Sequence, residues 1–364
     1  MLLRVTPRER MHQQRKSEHI RINLEQDVEF RRVSTGLERY RFVHRALPGV
    51  DLQAIDVSTE FLGKQLRVPL VISAMTGGTS EAGCINRRLA RAAEETGVGL
   101  GLGSQRAAVE DASLADTYRV REMAPDSLLL ANLGAIQLNY GYGLDECRRA
   151  VDMIEADALV LHLNALQEAL QPEGDTRFAG LLRRIEAVCE GLDVPVMVKE
   201  VGWGISEGVA RQLADAGVAA IDVAGAGGSS WSQVEMHRAL TERQRSVAAA
   251  FLDWGIPTAD SLLVAQRGAP GIPIVASGGI RSGIQIAKAI ALGAVTCGVA
   301  GPFLQAANDS TQAVVDLIWV LTDQLRVTMF AAGARDVAAL REVELVRTGA
   351  EPGRAAQADR EIAP

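Results

Sequence analysis

Eight short apolar runs, each with glycine or a polar residue among its last three positions, recur between residues 69 and 301, and they constrain the fold more than any other feature of the chain. They are PLVISAM (69–75), VGLGLGS (98–104), SLLLANLG (127–134), DALVLHLN (157–164), PVMVKEV (195–201), AAIDVAG (219–225), PIVASGG (273–279) and AVTCGVAG (294–301). Near-continuous apolar runs of this length read as strands buried on both faces, as in a parallel sheet. Amphipathic segments such as INRRLARAAEETG, GLLRRIEAVCEG and GIQIAKAIALGA lie between them, each able to cover such a sheet. GISEGVARQLADAGVAAIDVAG (204–225) and GIRSGIQIAKAIALGAVTCGVAG (279–301) share their glycine spacing, which suggests a repeated βα unit. In the second copy Ser282 and Gln285 fit a capping box. Eight βα units in series predict an α/β fold, a closed (β/α)8 TIM barrel, over an open doubly wound sheet. The expected organisation is an N-terminal arm and lead-in over 1–68, the barrel over 69–335, and a tail over 336–364 whose end, EPGRAAQADREIAP, reads as disordered.

In such a barrel the C-terminal strand ends surround the active-site mouth, so polar endings are expected there. Strand alternation pairs Leu102 with Ser104, Leu130 with Asn132, Val160 with His162 and Asn164, and Met197 with Lys199, each apolar residue lying deeper than its polar partner. Lys199 is the costliest of these to bury, and it calls either for an anionic or electron-rich ligand or for a neighbouring carboxylate such as Glu200. SGGIR (277–281) and VAGP (299–302) close the seventh and eighth runs, where barrels commonly bind phosphate through backbone N–H groups. Neither matches a nucleoside-triphosphate loop. GAGGSSW (225–231) opens a long polar insertion reaching WGIPT (254–258), readable as a lid or as a subunit contact.

The formal net charge of -7 and the 4% aromatic content argue against nucleic-acid binding. Residues 1–45 nonetheless carry eleven Lys or Arg against six Asp or Glu, a cationic arm that could meet an anion or could be a solvated leader. Cys84, Cys147, Cys189 and Cys297 show no C-x-x-C pairing, which fits reduced thiols and a cytoplasmic home. No apolar stretch is long enough to cross a membrane.

RKSEH (15–19), AMTGG (74–78), GSQR (103–106), ANLGAIQL (131–138), HLNALQE (162–168), VKEVGWG (198–204), GGSSW (227–231), SGGIR (277–281) and AGPF (300–303) together resemble the type 2 isopentenyl-diphosphate isomerases, over about residues 15–330. The resemblance implies an FMN-binding barrel that converts isopentenyl diphosphate to dimethylallyl diphosphate by a 1,3-proton shift, using reduced FMN and Mg2+, with NAD(P)H as reductant. It places FMN against Ala74, Met75, Thr76, Ser104, Asn132, Lys199, Ser229 and Ser230, with its phosphate at Gly278, Gly279, Arg281, Ala300 and Gly301. It places the substrate against Arg15, Lys16, His19, Ser104, Gln105, Arg106, His162, Asn164 and Gln167, with Mg2+ on Glu168. Gln167, Lys199 and His162 form the implied catalytic set. Ser229 stands where the family usually has threonine, which keeps the hydroxyl. The resemblance further suggests a homo-tetramer or homo-octamer. The alternative is an FMN-dependent oxidoreductase of the 2-hydroxy acid oxidase type, but the sixth run ends in GAGGSSW without the histidine such chemistry needs. A cysteine-nucleophile barrel fits less well, because Cys297 lies inside the eighth run.

Overall fold

A computed structural model describes Lys16 and residues 18–348. All eight runs form strands: β1 (Leu70–Ile72), β2 (Gly99–Gly101), β3 (Leu129–Gly134), β4 (Ala158–His162), β5 (Val196–Lys199), β6 (Ala220–Asp222), β7 (Ile274–Ser277) and β8 (Thr296–Val299). They pair in parallel around a closed ring in which β8 meets β1, Cys297 opposite Leu70, so the (β/α)8 barrel expected from the sequence is present.

Strand alternation sorts the core into two compartments. Leu70, Ile72, Leu129, Leu159, Leu161, Val196, Val198 and Ile221 face outward onto the helices. Val71, Leu130, Val160, Met197, Ala220 and Val275 fill the barrel interior. The hairpin Thr59–Phe61/Lys64–Leu66 stops the N-terminal end of the barrel, sending Phe61 and Leu66 into that interior cluster. One pairing expected from the sequence is corrected here: Leu102 packs outward with Leu100, so it is not the deeper partner of Ser104. The inward face of β2 is glycine instead, and a Cβ at Gly103 would fall 2.4 Å from the Thr76 backbone. The loop after β1 crosses too close for a side chain there.

The helices start and stop where local chemistry directs. Ser80–Thr96 begins with the Thr79 hydroxyl accepting the Ala82 N–H and ends on Gly97 in the left-handed region. Ala82, Ile85, Leu89, Ala92 and Ala93 form its buried stripe. The repeated unit is real at this level: Ser206 caps Glu207–Asp215 and Ser282 caps Gly283–Ala291, each nine residues long. The Ser282 cap is made as expected, but Gln285 Oε1 accepts from the Arg281 N–H rather than completing the reciprocal bond to Ser282.

Tyr40–Phe42, ahead of the barrel, pairs antiparallel with Leu345–Arg347, after it. Within the stretch read as a tail, residues 337–341 form a helix and 345–347 that strand; the terminal EPGRAAQADREIAP lies outside the described residues. No helix among the described residues is long and apolar enough to cross a membrane.

Candidate functional site

Two residues beyond the interior apolar layer, β1 and β3–β7 each present a polar side chain: Ser73, Asn132, His162, Lys199, Asp222 and Ser277. This ring, Asp222 excepted, forms the floor of a cavity of about 290 Å³ at the C-terminal mouth of the barrel; Asp222 lies beneath it. Loops after the strands raise its walls, and Lys16, His19, Ile20 and Asn23 of the arm close over it. The polar ending of the fourth strand is thereby explained, since His162, Asn164, Gln167 and Glu168 all face this cavity.

The amides and imidazole of the floor are held in fixed orientations. Asn132 Oδ1 lies 2.8 Å from His162 Nδ1, and an oxygen acceptor there puts the ring proton on Nδ1. Asn164 Nδ2 donates to Glu168 Oε1 (2.8 Å) and Gln167 Oε1 (3.3 Å), while Gln167 Nε2 donates to Glu235 Oε1 (3.1 Å). The Gln167 amide is thus pinned at both ends. Asn164 Oδ1 is buried without a hydrogen-bond partner among the described residues, an acceptor held ready for a ligand donor.

The arm is fastened by charge. Lys16 Nζ donates to the Ser104 carbonyl (2.9 Å) and to the Tyr118 hydroxyl (2.6 Å). His19 Nε2 sits 3.2 Å from Glu235 Oε1 and packs edge-on against Trp231. Arg238 binds Glu18, Glu173 and Glu235 together. Burial works to raise the Glu235 pKa, but the His19 and Arg238 contacts overcome it and hold the carboxyl at about 2. The insertion after β6 supplies this anchor: its helix Trp231–Arg238 lies beside the arm, with Ile22, Val28 and Val234 forming a small shared apolar cluster.

Two glycine-rich endings shape the far wall. Gly301 opens the helix Gly301–Asp309, and a Cβ there would meet nothing within 4 Å, so its absence leaves open space at a helix N-terminus. Beside it, at the end of the neighbouring strand β7, lie Gly278, Gly279 and Arg281, the last paired with Glu29 of the arm. Helix-terminal N–H groups, glycine backbone and a guanidinium in one wall suit a phosphate, and the amide-lined floor with Lys199 suits a polar ring system. A flavin mononucleotide fits this donor set. Glu168 offers a hard oxygen ligand, its carboxylate oriented by Asn164 and by the Asp175 N–H (2.7 Å). Among the described residues no cluster of three His, Cys, Asp or Glu forms a closed metal site, so an ion on Glu168 would complete its shell from phosphate and water.

Most residues singled out in the sequence come together around this cavity: Ala74, Met75, Thr76, Ser104, Asn132, Lys199, Ser229, Gly278, Gly279, Arg281, Ala300 and Gly301 of the set expected at a cofactor, and Lys16, His19, Arg106, His162, Asn164, Gln167 and Glu168 of the set expected at substrate and metal. Arg15 lies outside the described residues. Gln105 does not line the cavity; it is fully buried, exchanging bonds with the Asn132 backbone and donating to the Ala150 carbonyl (2.8 Å), which fixes β3 to the helix behind it. Ser230 is likewise buried, its hydroxyl donating to the Leu252 carbonyl (3.2 Å). Arg106 is clamped by Glu110 and Asp175, both at 2.9 Å. The sequence reading passed over Asp222 and Glu235, two buried acids beside the site. Asp222 follows the same two-residue offset from Ala220 that flagged Lys199; Glu235 has no such signal.

Glu200 is not the direct ion-pair partner of Lys199. Its Oε2 accepts the N–H groups of Val201, Gly202 and Trp203 at 2.6–2.7 Å, while Lys199 Nζ donates to its backbone carbonyl (2.5 Å). Burial pushes the Glu200 carboxyl up to about 7 against those donors. The folded chain therefore holds this proton more tightly than the unfolded chain, and the stability tied to Glu200 falls as pH rises from about 4.5 to about 7, by on the order of 3 kcal/mol at most. Glu200→Gln is expected to flatten the pH dependence of the melting temperature across that window. A slope identical to that of the parent protein would contradict this reading.

Comparison with known proteins settles the family. Curated isopentenyl-diphosphate delta-isomerases are similar over most of their length: one from Nostoc sp. is 56% identical over 88% of this chain and 92% of its own. Those from Synechocystis sp. and Stutzerimonas stutzeri are 54% and 51% identical, covering 91% and 92% of this chain and 95% and 97% of theirs. The chain belongs to the isopentenyl-diphosphate delta-isomerase family. The FMN-dependent dehydrogenase family model matches residues 8–123 and 159–347, which places this isomerase chain among the flavin-dependent, type 2 members. Among solved structures, a mandelate oxidase mutant with (S)-mandelic acid superposes with a TM-score of 0.61 at 22% identity, covering 95% of this chain and 96% of that one. That likeness shows the shared barrel and nothing finer.

Proposed function

We propose that the protein isomerises isopentenyl diphosphate to dimethylallyl diphosphate, with FMN and Mg2+ bound and NAD(P)H as the reductant that prepares the flavin. The observation that carries this is the joining, in one cavity, of a phosphate-suited glycine wall, a floor holding Lys199, and a cationic arm over the mouth. The relatives' name supplies the reaction, and this arrangement supports it.

FMN would lie with its phosphate at Gly278, Gly279, Arg281 and Gly301 and its ring on Ala74–Thr76, Asn132, Lys199 and Ser229. Reduced FMN, when bound, offers an electron-rich surface and exchangeable protons beside an alkene that is itself a poor base. Lys16, His19 and Arg106 are the donors for the substrate diphosphate, where charge-assisted bonds are the strong ones. Glu168 would hold Mg2+ against the phosphate oxygens. The shift requires one proton gained at the terminal alkene carbon and one lost from the allylic carbon. His162 and Gln167, with amide and ring held by Asn132, Asn164 and Glu235, position the C5 chain between those events. The arm excludes water, which a cationic centre would otherwise capture. The assembly reading is a homo-tetramer or homo-octamer, in a cytoplasmic setting.

The oxidoreductase alternative lacks a supporting feature: the histidines of the cavity come from the arm and β4, and none stands at the ends of β6 or β7. Anaerobic incubation of the photoreduced protein with isopentenyl diphosphate and Mg2+ tests the assignment; dimethylallyl diphosphate should accumulate without added oxidant. Bleaching of the oxidised flavin by a 2-hydroxy acid, with no isomer formed, would reverse it. Glu168→Gln should raise the Mg2+ concentration needed for half-maximal rate about tenfold or more, as expected when one of few protein ligands loses its charge. An unaltered Mg2+ titration would place the ion elsewhere.

A further inference from the structure

Asp222 is the only acid among the six polar strand-end residues, and it is buried beneath the cavity floor. The β5–β6 register sets it opposite Lys199, and the β6–β7 register sets it beside Val275, two residues before Ser277. Its Oδ1 accepts from the Ser277 hydroxyl (2.6 Å) and from the Ala224 N–H (3.1 Å), so a neighbouring strand and its own following turn fix the carboxylate. Lys199 and Asp222 both wall a second, small cavity of about 10 Å³ beneath the main one, together with Ser73 and the apolar residues Leu130, Val160 and Met197. That volume suits a single water, and hydroxyl, ammonium and carboxylate would give it partners. Ser73, Ala74 and Lys199 line both cavities, so the lysine is the link between them.

A buried ammonium without a counter-charge would shed its proton. Burial lowers the Lys199 pKa and raises that of Asp222, and each is the other's foremost opposing charge, ahead of Glu200 for the lysine. Glu200 has turned its carboxylate to the loop amides. We propose that Asp222 is a positioning residue for the flavin chemistry: across a one-water cavity it supplies the counter-charge that keeps Lys199 an ammonium under the cofactor. This rests on the reading that Lys199 faces FMN.

The test is the flavin reduction potential of the holoenzyme, measured against a reference dye for the parent, Lys199→Met, Asp222→Asn and the double variant. Asp222→Asn should lower the potential, as Lys199→Met does, shifting the reduced-to-oxidised ratio about tenfold, about 30 mV for a two-electron couple. The double variant should fall no further than the lower single. A simple loss of negative charge beside a lysine that stays charged would raise the potential, and a rise, or an additive double, overturns the proposal. Lys199→Met leaving the potential unmoved would instead remove the lysine from the flavin, and the inference with it. Asp222→Asn keeps an acceptor for Ser277; should it not retain flavin, Ser277→Ala, which only loosens the carboxylate, is expected to lower the potential by a smaller amount, and a rise there is equally fatal.

Discussion

Lys199→Met is expected to cut turnover with reduced FMN by about 10²–10³-fold, the range seen when one preorganised charged or hydrogen-bonding group is taken from a low-dielectric site. Methionine nearly conserves the volume of the lysine stem, so the barrel should fold and the loss should be electrostatic. Lys199 alone brings a positive charge to the floor's polar ring, and it stands on a rigid strand between His162 on β4 and Asp222 on β6. Steady-state kinetics of the reduced holoenzyme checks this. Turnover within twofold of the parent would take the lysine out of the chemistry.

Glu235→Ala should have the second largest effect. Its carboxylate joins His19, Arg238, Gln167 and Gln171, so its removal leaves Arg238 and the arm without their shared partner. Arg238 keeps Glu18 and Glu173, so the loss stays below the ~3–5 kcal/mol of a buried charge left wholly unpaired. The expected result is a large rise in KM for the diphosphate substrate together with a lower melting temperature, and Glu235→Gln should show less of both. The pH signature has a definite sign. Because the folded-state pKa is depressed to about 2, the stability contributed by Glu235 is complete above about 4.5 and is lost only as pH falls from there toward 2. The alanine variant should therefore remain defective across the neutral range. A parent-like KM would mean the arm closes without this anchor.

The barrel was legible in the sequence because buried parallel strands leave little choice: eight apolar runs closing on glycine or polar residues and separated by amphipathic segments admit few folds. The strand-end residues Asn132, His162 and Lys199 were legible for the same reason, period-two alternation at a known end of the barrel. Asp222 obeyed the identical rule in AAIDVAG and was open to it. Gln105 and Ser230 were placed at the site by resemblance, but tertiary packing decides where an amide or hydroxyl points, and theirs are spent on backbone groups behind the wall. Leu102 turned out to face the helices because glycine, not leucine, fits the inner side of β2. Glu235 could not be found by local pattern. Its role exists only because a helix in the insertion meets Gln167, 68 residues earlier, and the arm beyond that.

Deuterium transfer during anaerobic turnover in D2O tests the central claim most directly. With Mg2+ and pre-reduced FMN, isopentenyl diphosphate should yield dimethylallyl diphosphate carrying solvent deuterium, over many turnovers, while the flavin absorbance stays that of the reduced form. Stoichiometric reoxidation of the flavin by substrate, or product free of solvent deuterium with no exchange into the remaining substrate, would contradict it.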